Sequence, residues 1–83
     1  MMEAIKADRV VDTRGLLCPM PVVKAKLALE EMKPGQVAKV MATDPGSKMD
    51  FPAWCNETGN KLLLAQEEGK GLYAFFIQKA REA

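Results

Sequence analysis

The sequence predicts an α+β fold, a two-layer α/β sandwich in which a four-stranded mixed sheet carries two helices on one face, in the order βαβαββ. Three observations carry this reading. Two segments place apolar residues at spacings of three and four, four short apolar runs are bounded by Gly, Pro and Asp, and the chain has only 83 residues. A usual domain has about 100 to 150 residues, so residues 1–83 are expected to form a single domain around one core.

Arg9 to Asp12 puts Val10 and Val11 in a first strand that ends in the turn-prone run Asp12 to Gly15. Val22, Ala25, Leu29 and Met32 then trace one face of an amphipathic helix, which Lys33, Pro34 and Gly35 stop. Val37 to Ala42 is a β-branched and apolar second strand, followed by a turn over Thr43 to Ser47 that holds Asp44, Pro45 and Gly46. Those three residues need no role beyond turning the chain.

Phe51, Trp54, Cys55 and Thr58 share one face of a second helix, with Ser47 or Asp50 as N-cap and Gly59 as the C-terminal stop. Pro52 predicts a late start for this helix, because proline is tolerated in the first turn and costs about 3 kcal/mol deeper inside. Lys61 to Glu67 and Leu72 to Lys79 are two strands joined by a hairpin over Glu68 to Gly71. The sheet face away from the helices is expected to stay open. Phe76 on that face is then either part of a docking surface or a solitary exposed aromatic.

Hydrophobic residues make up 48% and charged residues 28% of the chain, an ordinary globular composition far from that of disorder. Twelve basic against eleven acidic residues leave a net charge of +1, which gives no field for a nucleic acid or an anionic membrane. No direct nucleic-acid partner and no membrane association are expected. The N-terminal residues lack the apolar run of about 7 to 15 residues of a secretory signal, and no stretch approaches the roughly 18 of a membrane span. A cytoplasmic protein is the expectation. Two Cys and no His rule against a disulfide framework and offer no ordinary zinc ligand set, so neither a metal nor another cofactor is expected.

Cys18-Pro19-Met20-Pro21 is the most specific local feature. A residue before proline is pushed out of the α region, so Cys18 and Met20 are expected to be extended, and the helix to begin at Pro19 or Pro21. Either start leaves Cys18 at the electropositive end of a helix, where the anionic form of sulfur is favoured and the thiol pKa is expected to fall moderately. Arg14 is close enough in sequence to add positive charge. Local physics alone leaves a second reading open, in which Cys18 is a small buried apolar residue. Cys55, on the face of Phe51 and Trp54, reads as a core thiol. Asp12 and Arg14 either shape the Cys18 loop or meet a partner, unless they are simply a turn aspartate and a solvated arginine, and Gly15 gives the turn its freedom.

Taken together, Asp12-Thr13-Arg14-Gly15, Leu16 to Pro21, Met32 to Gly35, Thr43-Asp44-Pro45 and Phe51 to Leu64 resemble the TusA-like (SirA-like) sulfur-carrier family, over about Val11 to Lys79. The resemblance implies the same βαβαββ fold. It also implies that Cys18 accepts sulfane sulfur as a persulfide from a cysteine desulfurase or a rhodanese-like donor and passes it to an acceptor sulfur-relay protein, a sulfurtransferase-like activity. Family roles include tRNA wobble-uridine thiolation, sulfur supply for molybdenum cofactor and sulfur oxidation, and nothing in the sequence selects among them. The competing reading is a non-catalytic protein-binding or regulatory module, docking through the open sheet face with Cys18 incidental. A dithiol redox protein would ordinarily show an adjacent cysteine pair, which is absent.

Overall fold

A computed structural model describes residues 5–80, and its elements run β1 (Arg9–Asp12), α1 (Met20–Glu30), β2 (Val37–Ala42), α2 (Ser47–Thr58), β3 (Lys61–Gly69) and β4 (Leu72–Gln78). The sheet order is β1-β2-β4-β3, with β1 parallel to β2 and the other pairs antiparallel. Helix α1 is the crossover that parallel pairing of β1 and β2 requires. The predicted architecture is therefore the observed one.

One sheet face packs against both helices. Val11, Ala38, Val40, Ala42, Phe75 and Ile77 meet Ala25, Ala28, Leu29 and Met32 from α1 and Phe51 and Cys55 from α2. Small residues on both sides let backbone approach backbone, and aromatics fill the remaining volume. Phe51 stacks on Phe75 with centroids 4.8 Å apart and meets Trp54 edge-on at 6.4 Å.

The opposite face, expected to stay open, is covered in part, and Val10 on the same face remains 58% exposed. Val37, Ala74 and Phe76 form a second buried cluster, against which Ile5, Ala7 and Leu64 pack, and Phe76 is only 4% exposed. The cover is the segment ahead of β1. It is pinned where the Asp8 amide donates to the Val37 carbonyl at 2.7 Å and the Val37 amide donates to the Asp8 carboxylate at 2.8 Å. Lys39 adds its ammonium 5.7 Å from the Phe76 ring centroid and pairs with Glu68 at 3.1 Å.

Helix α2 also departs from expectation, starting at Ser47 with Gly46 as N-cap and no side-chain cap, so that Pro52 lies inside it. The turn before it already supplies helical bonds, from the Ser47 amide to the Asp44 carbonyl and from the Lys48 amide to the Pro45 carbonyl. Pro52 forgoes one bond, and burial of Phe51 and Cys55 around it holds the turn in place. Thr58 faces outward and donates its hydroxyl to the Trp54 carbonyl at 2.9 Å, and Gly59, at φ 84°, closes the helix in the left-handed region. Strand β3 runs on to Gly69, with register shifts between Leu62 and Leu64 and between Glu67 and Gly69 that lengthen the hairpin arm.

Candidate functional site

Because β1 and β2 run parallel, the loops that leave them emerge at the same end of the sheet, and each leads into a helix. The two loops are stapled together. The Thr13 amide and hydroxyl both donate to the Met41 carbonyl, at 2.8 and 2.6 Å, and Thr13 is fully buried. The Gly15 amide donates to the Thr43 hydroxyl at 2.9 Å, and the Cys18 amide donates to Asp44 Oδ2 at 2.7 Å. Gly15 takes φ 83°, a conformation that side chains disfavour, and the loop closes with the Leu16 amide on the Thr13 carbonyl.

Cys18 ends this loop, exposed and immediately ahead of the α1 N-cap Pro19. The Cys18–Pro19 peptide bond is cis. Met20 is helical and not extended, its amide donating to the Leu17 carbonyl at 2.9 Å, while Pro21 is buried in the second helical position. Both prolines occupy positions where a helix amide would have no internal partner, so they stiffen the start of α1 without breaking it.

Asp12 and Arg14 are brought together. The Asp12 carboxylate accepts from Arg14 Nε and Nη2, both at 2.8 Å, and from the Arg14 amide at 3.0 Å. These bonds hold the Asp12 pKa well below the usual carboxylate range and raise that of Arg14. Arg14 is thus committed to Asp12, and its charge is not delivered to the sulfur.

The thiol pKa moves opposite to the sequence expectation. It is raised, first by the pull of the Asp50 carboxylate on the thiol proton, then through desolvation, then through the negative charges of Asp50 and Asp44. The early start of α2 puts Asp50 in that helix's first turn. The dipole of α1 is opposed by two acids from elsewhere in the chain. Asp44 and Asp50 are the site residues that sequence reasoning missed. The available signal was a pair of acids at the start of a helix, and it reads equally well as capping.

Cys55 is 4% exposed in the core, and burial pushes its thiol up to about 11. Both cysteines are free, and among the described residues no group of three His, Cys, Asp or Glu could hold a metal ion. Leu17 is 72% exposed and Met49 78%, and together with the exposed Met20 they flank Cys18 and Asp50 along the chain with apolar surface. Two grooves, one beside β1 and α1 and another beside β3 and β4, are lined by residues other than Cys18. The sulfur is on the surface, where a partner's reactive group can meet it. Among the described residues no helix is long and apolar enough to cross a membrane.

Comparison with known proteins gives matches over most of the chain. Residues 9–79 match the family model described as sulfurtransferase TusA. The chain is 48% identical over 73 residues to the sulfur carrier protein TusA of Allochromatium vinosum, covering 88% of this chain and 95% of that one. It is 45% identical over 75 residues to YrkI of Bacillus subtilis, covering 90% and 99% of the two chains. The crystal structure of a SirA-like protein from Desulfitobacterium hafniense superimposes with a TM-score of 0.75 at 26% identity, covering 88% of this chain and 99% of that chain.

Proposed function

We propose that this chain, which belongs to the TusA family of sulfur carriers, holds sulfane sulfur as a persulfide on Cys18 and relays it between partner proteins in the cytoplasm. The observation that carries the reading is the exposed Cys18 thiol at the start of α1, on a loop tied down by Thr13, Gly15 and the Cys18 amide itself. Residues 1–83 act as one carrier domain without a cofactor.

In the loading step the Cys18 thiolate attacks the outer sulfur of a donor persulfide. The donor's S–S bond breaks, the donor leaves as a thiolate, and Cys18 gains one sulfur. In the unloading step an acceptor thiolate attacks that outer sulfur and Cys18 leaves as the thiolate. Sulfur changes hands with no net oxidation, so no redox cofactor is called for. The donor is a cysteine desulfurase or a rhodanese-like protein, and the acceptor is a sulfur-relay protein. Asp12, Arg14 and Gly15 shape the loop, while Pro19 and Pro21 hold the sulfur at the helix start.

The raised thiol pKa gives this scheme a resting state. Free in neutral solution the carrier is mostly thiol and little reactive, and a docked donor that offsets the neighbouring negative charge favours the thiolate. On the alternative reading of a regulatory module, Phe76 itself is not free to dock a partner, since Ile5, Ala7 and Leu64 pack against its cluster. The test is label transfer: with a cysteine desulfurase and labelled cysteine, the wild-type protein takes up protein-bound sulfur and Cys18→Ala does not. Uptake by Cys18→Ala would overturn the assignment.

A further inference from the structure

Helix α1 is apolar on two sides. Pro21, Ala25, Ala28 and Leu29 are its buried residues. Met20, Val23 and Leu27, at spacings of three and four, form a second stripe that faces solvent, 48%, 39% and 57% exposed. A solvated helix face is ordinarily polar, so the stripe calls for a partner surface. Beside Leu27 runs a groove of about 310 Å³ between α1 and the edge strand β1, with Val10, Val11 and Ala28 in its lining. The Lys24 ammonium donates across it to the Asp12 carbonyl at 2.8 Å, and Glu31 pairs across it with Arg9 at 2.9 Å. The Lys24 bond occupies a carbonyl of the edge strand, which disfavours an added strand as the groove's occupant.

The charges on α1 divide at Leu27. Lys24 and Lys26 precede it, Glu30 and Glu31 follow it, and Lys33 lies past the helix end. Lys24 and Glu31 are held by β1. Lys26 and Glu30, one turn apart on one flank of the stripe, are exposed, and their side chains have no hydrogen bond or ion pair among the described residues. This division is complementary to itself. Two such helices side by side in parallel set Lys26 on Lys26 and Glu30 on Glu30, whereas antiparallel helices set each Lys26 near the other's Glu30, in two equivalent pairs.

We propose that the outer face of α1 joins two copies of this chain, antiparallel about a two-fold axis at Leu27. Each copy supplies both halves of the contact: its Leu27 and Val23 pack at the mouth of the other's groove, and its Lys26 meets the other's Glu30. The contact goes beyond the carrier reading and does not rest on it. It is also small. The 11 residues of α1 make a helix about 16 Å long. Its few outward side chains bury less than the roughly 1,200 Å² of a stable interface, so the dissociation constant is expected at about 0.1 to 1 mM.

The test is sedimentation equilibrium of the full chain from about 0.01 to 2 mM, with a thiol reductant present to keep Cys18 from cross-linking copies. The wild-type protein should show a monomer–dimer equilibrium. Leu27→Asp should be monomeric throughout with its thermal midpoint little changed, because Leu27 is exposed. Lys26→Glu and Glu30→Lys should each weaken association about tenfold at low salt, since each turns both pairs from attraction to repulsion. The double reversal Lys26→Glu with Glu30→Lys should restore it, an outcome that only a second copy of the same helix produces. A chain that stays monomeric, an association that Leu27→Asp leaves intact, or a double reversal no tighter than the single ones overturns the proposal. If the chain stays monomeric while Leu27→Asp slows loading by a desulfurase, the face belongs to the sulfur donor and the proposal is likewise overturned. No sulfur transfer enters the sedimentation measurement, so a Cys18 that fails to load contradicts the carrier reading alone.

Discussion

The Cys18 amide and the Asp44 carboxylate, 26 residues apart in sequence, meet in a 2.7 Å hydrogen bond. The loop that presents the sulfur is therefore held by the end of β2 and the turn into α2, not by α1 alone. Its position depends on correct parallel pairing of β1 with β2, which ties the site's geometry to the fold.

Asp44→Ala should loosen that loop. It removes the acceptor for the amides of Cys18 and Gly46, and a hydrogen bond to a charged group is worth about 1.5–3 kcal/mol when intact. Partial exposure of the pair places the expected loss at the low end, a drop of several degrees in thermal midpoint. Hydrogen exchange at the Cys18 amide should accelerate, and Asp44→Asn, which keeps an acceptor oxygen, should retain most of the protection.

Alkylation of Cys18 by a neutral reagent should rise with a midpoint above the ordinary thiol value of 9.0. The sign follows from the cause, since a carboxylate that accepts the thiol proton's hydrogen bond favours the protonated form. Asp50→Asn should move the midpoint down. Arg14→Gln should leave it in place, because that guanidinium is bound to Asp12. A midpoint below the ordinary value in the wild-type protein would contradict the site electrostatics described above.

Phe51→Ala should cost about 3–5 kcal/mol, the range for truncating a fully buried phenylalanine. Phe51 stacks on Phe75 and meets Trp54, so the loss falls where α2 packs on the sheet. Since small domains are stable by only about 5–15 kcal/mol, urea unfolding followed by Trp54 fluorescence should show a much lower midpoint.

Cys55 predicts an alkaline effect on stability. Its folded pKa is raised from 9.0 to about 11 by burial, so the folded state keeps a proton that the unfolded chain gives up. Its contribution is complete below pH 9.0 and is lost progressively as pH rises towards 11. The stability difference between wild type and Cys55→Ala, followed by denaturant unfolding, should therefore shrink across that window.

Strand and helix order was legible because periodicity and turn residues are local signals. Arg9–Asp12 and Val37–Ala42 emerge with their expected bounds. The prominence of Cys18 was legible too, through two prolines and a helix start. The rest depended on residues distant in sequence. Asp44 read as a turn residue because its bond to the Cys18 amide exists only after β1 pairs with β2, and Asp50 read as a cap because no local signal shows that α2 begins well before Pro52. Phe76 read as exposed because nothing local shows that Ile5 and Ala7 fold back over it.

The most direct test of the account is peptide mass analysis of the protein after incubation with a cysteine desulfurase and cysteine. The account predicts one added sulfur on the peptide holding Cys18, removed by a thiol reductant and retained in Cys55→Ala. Sulfur found on the Cys55 peptide, or a Cys18 peptide of unchanged mass beside an active desulfurase, would contradict it.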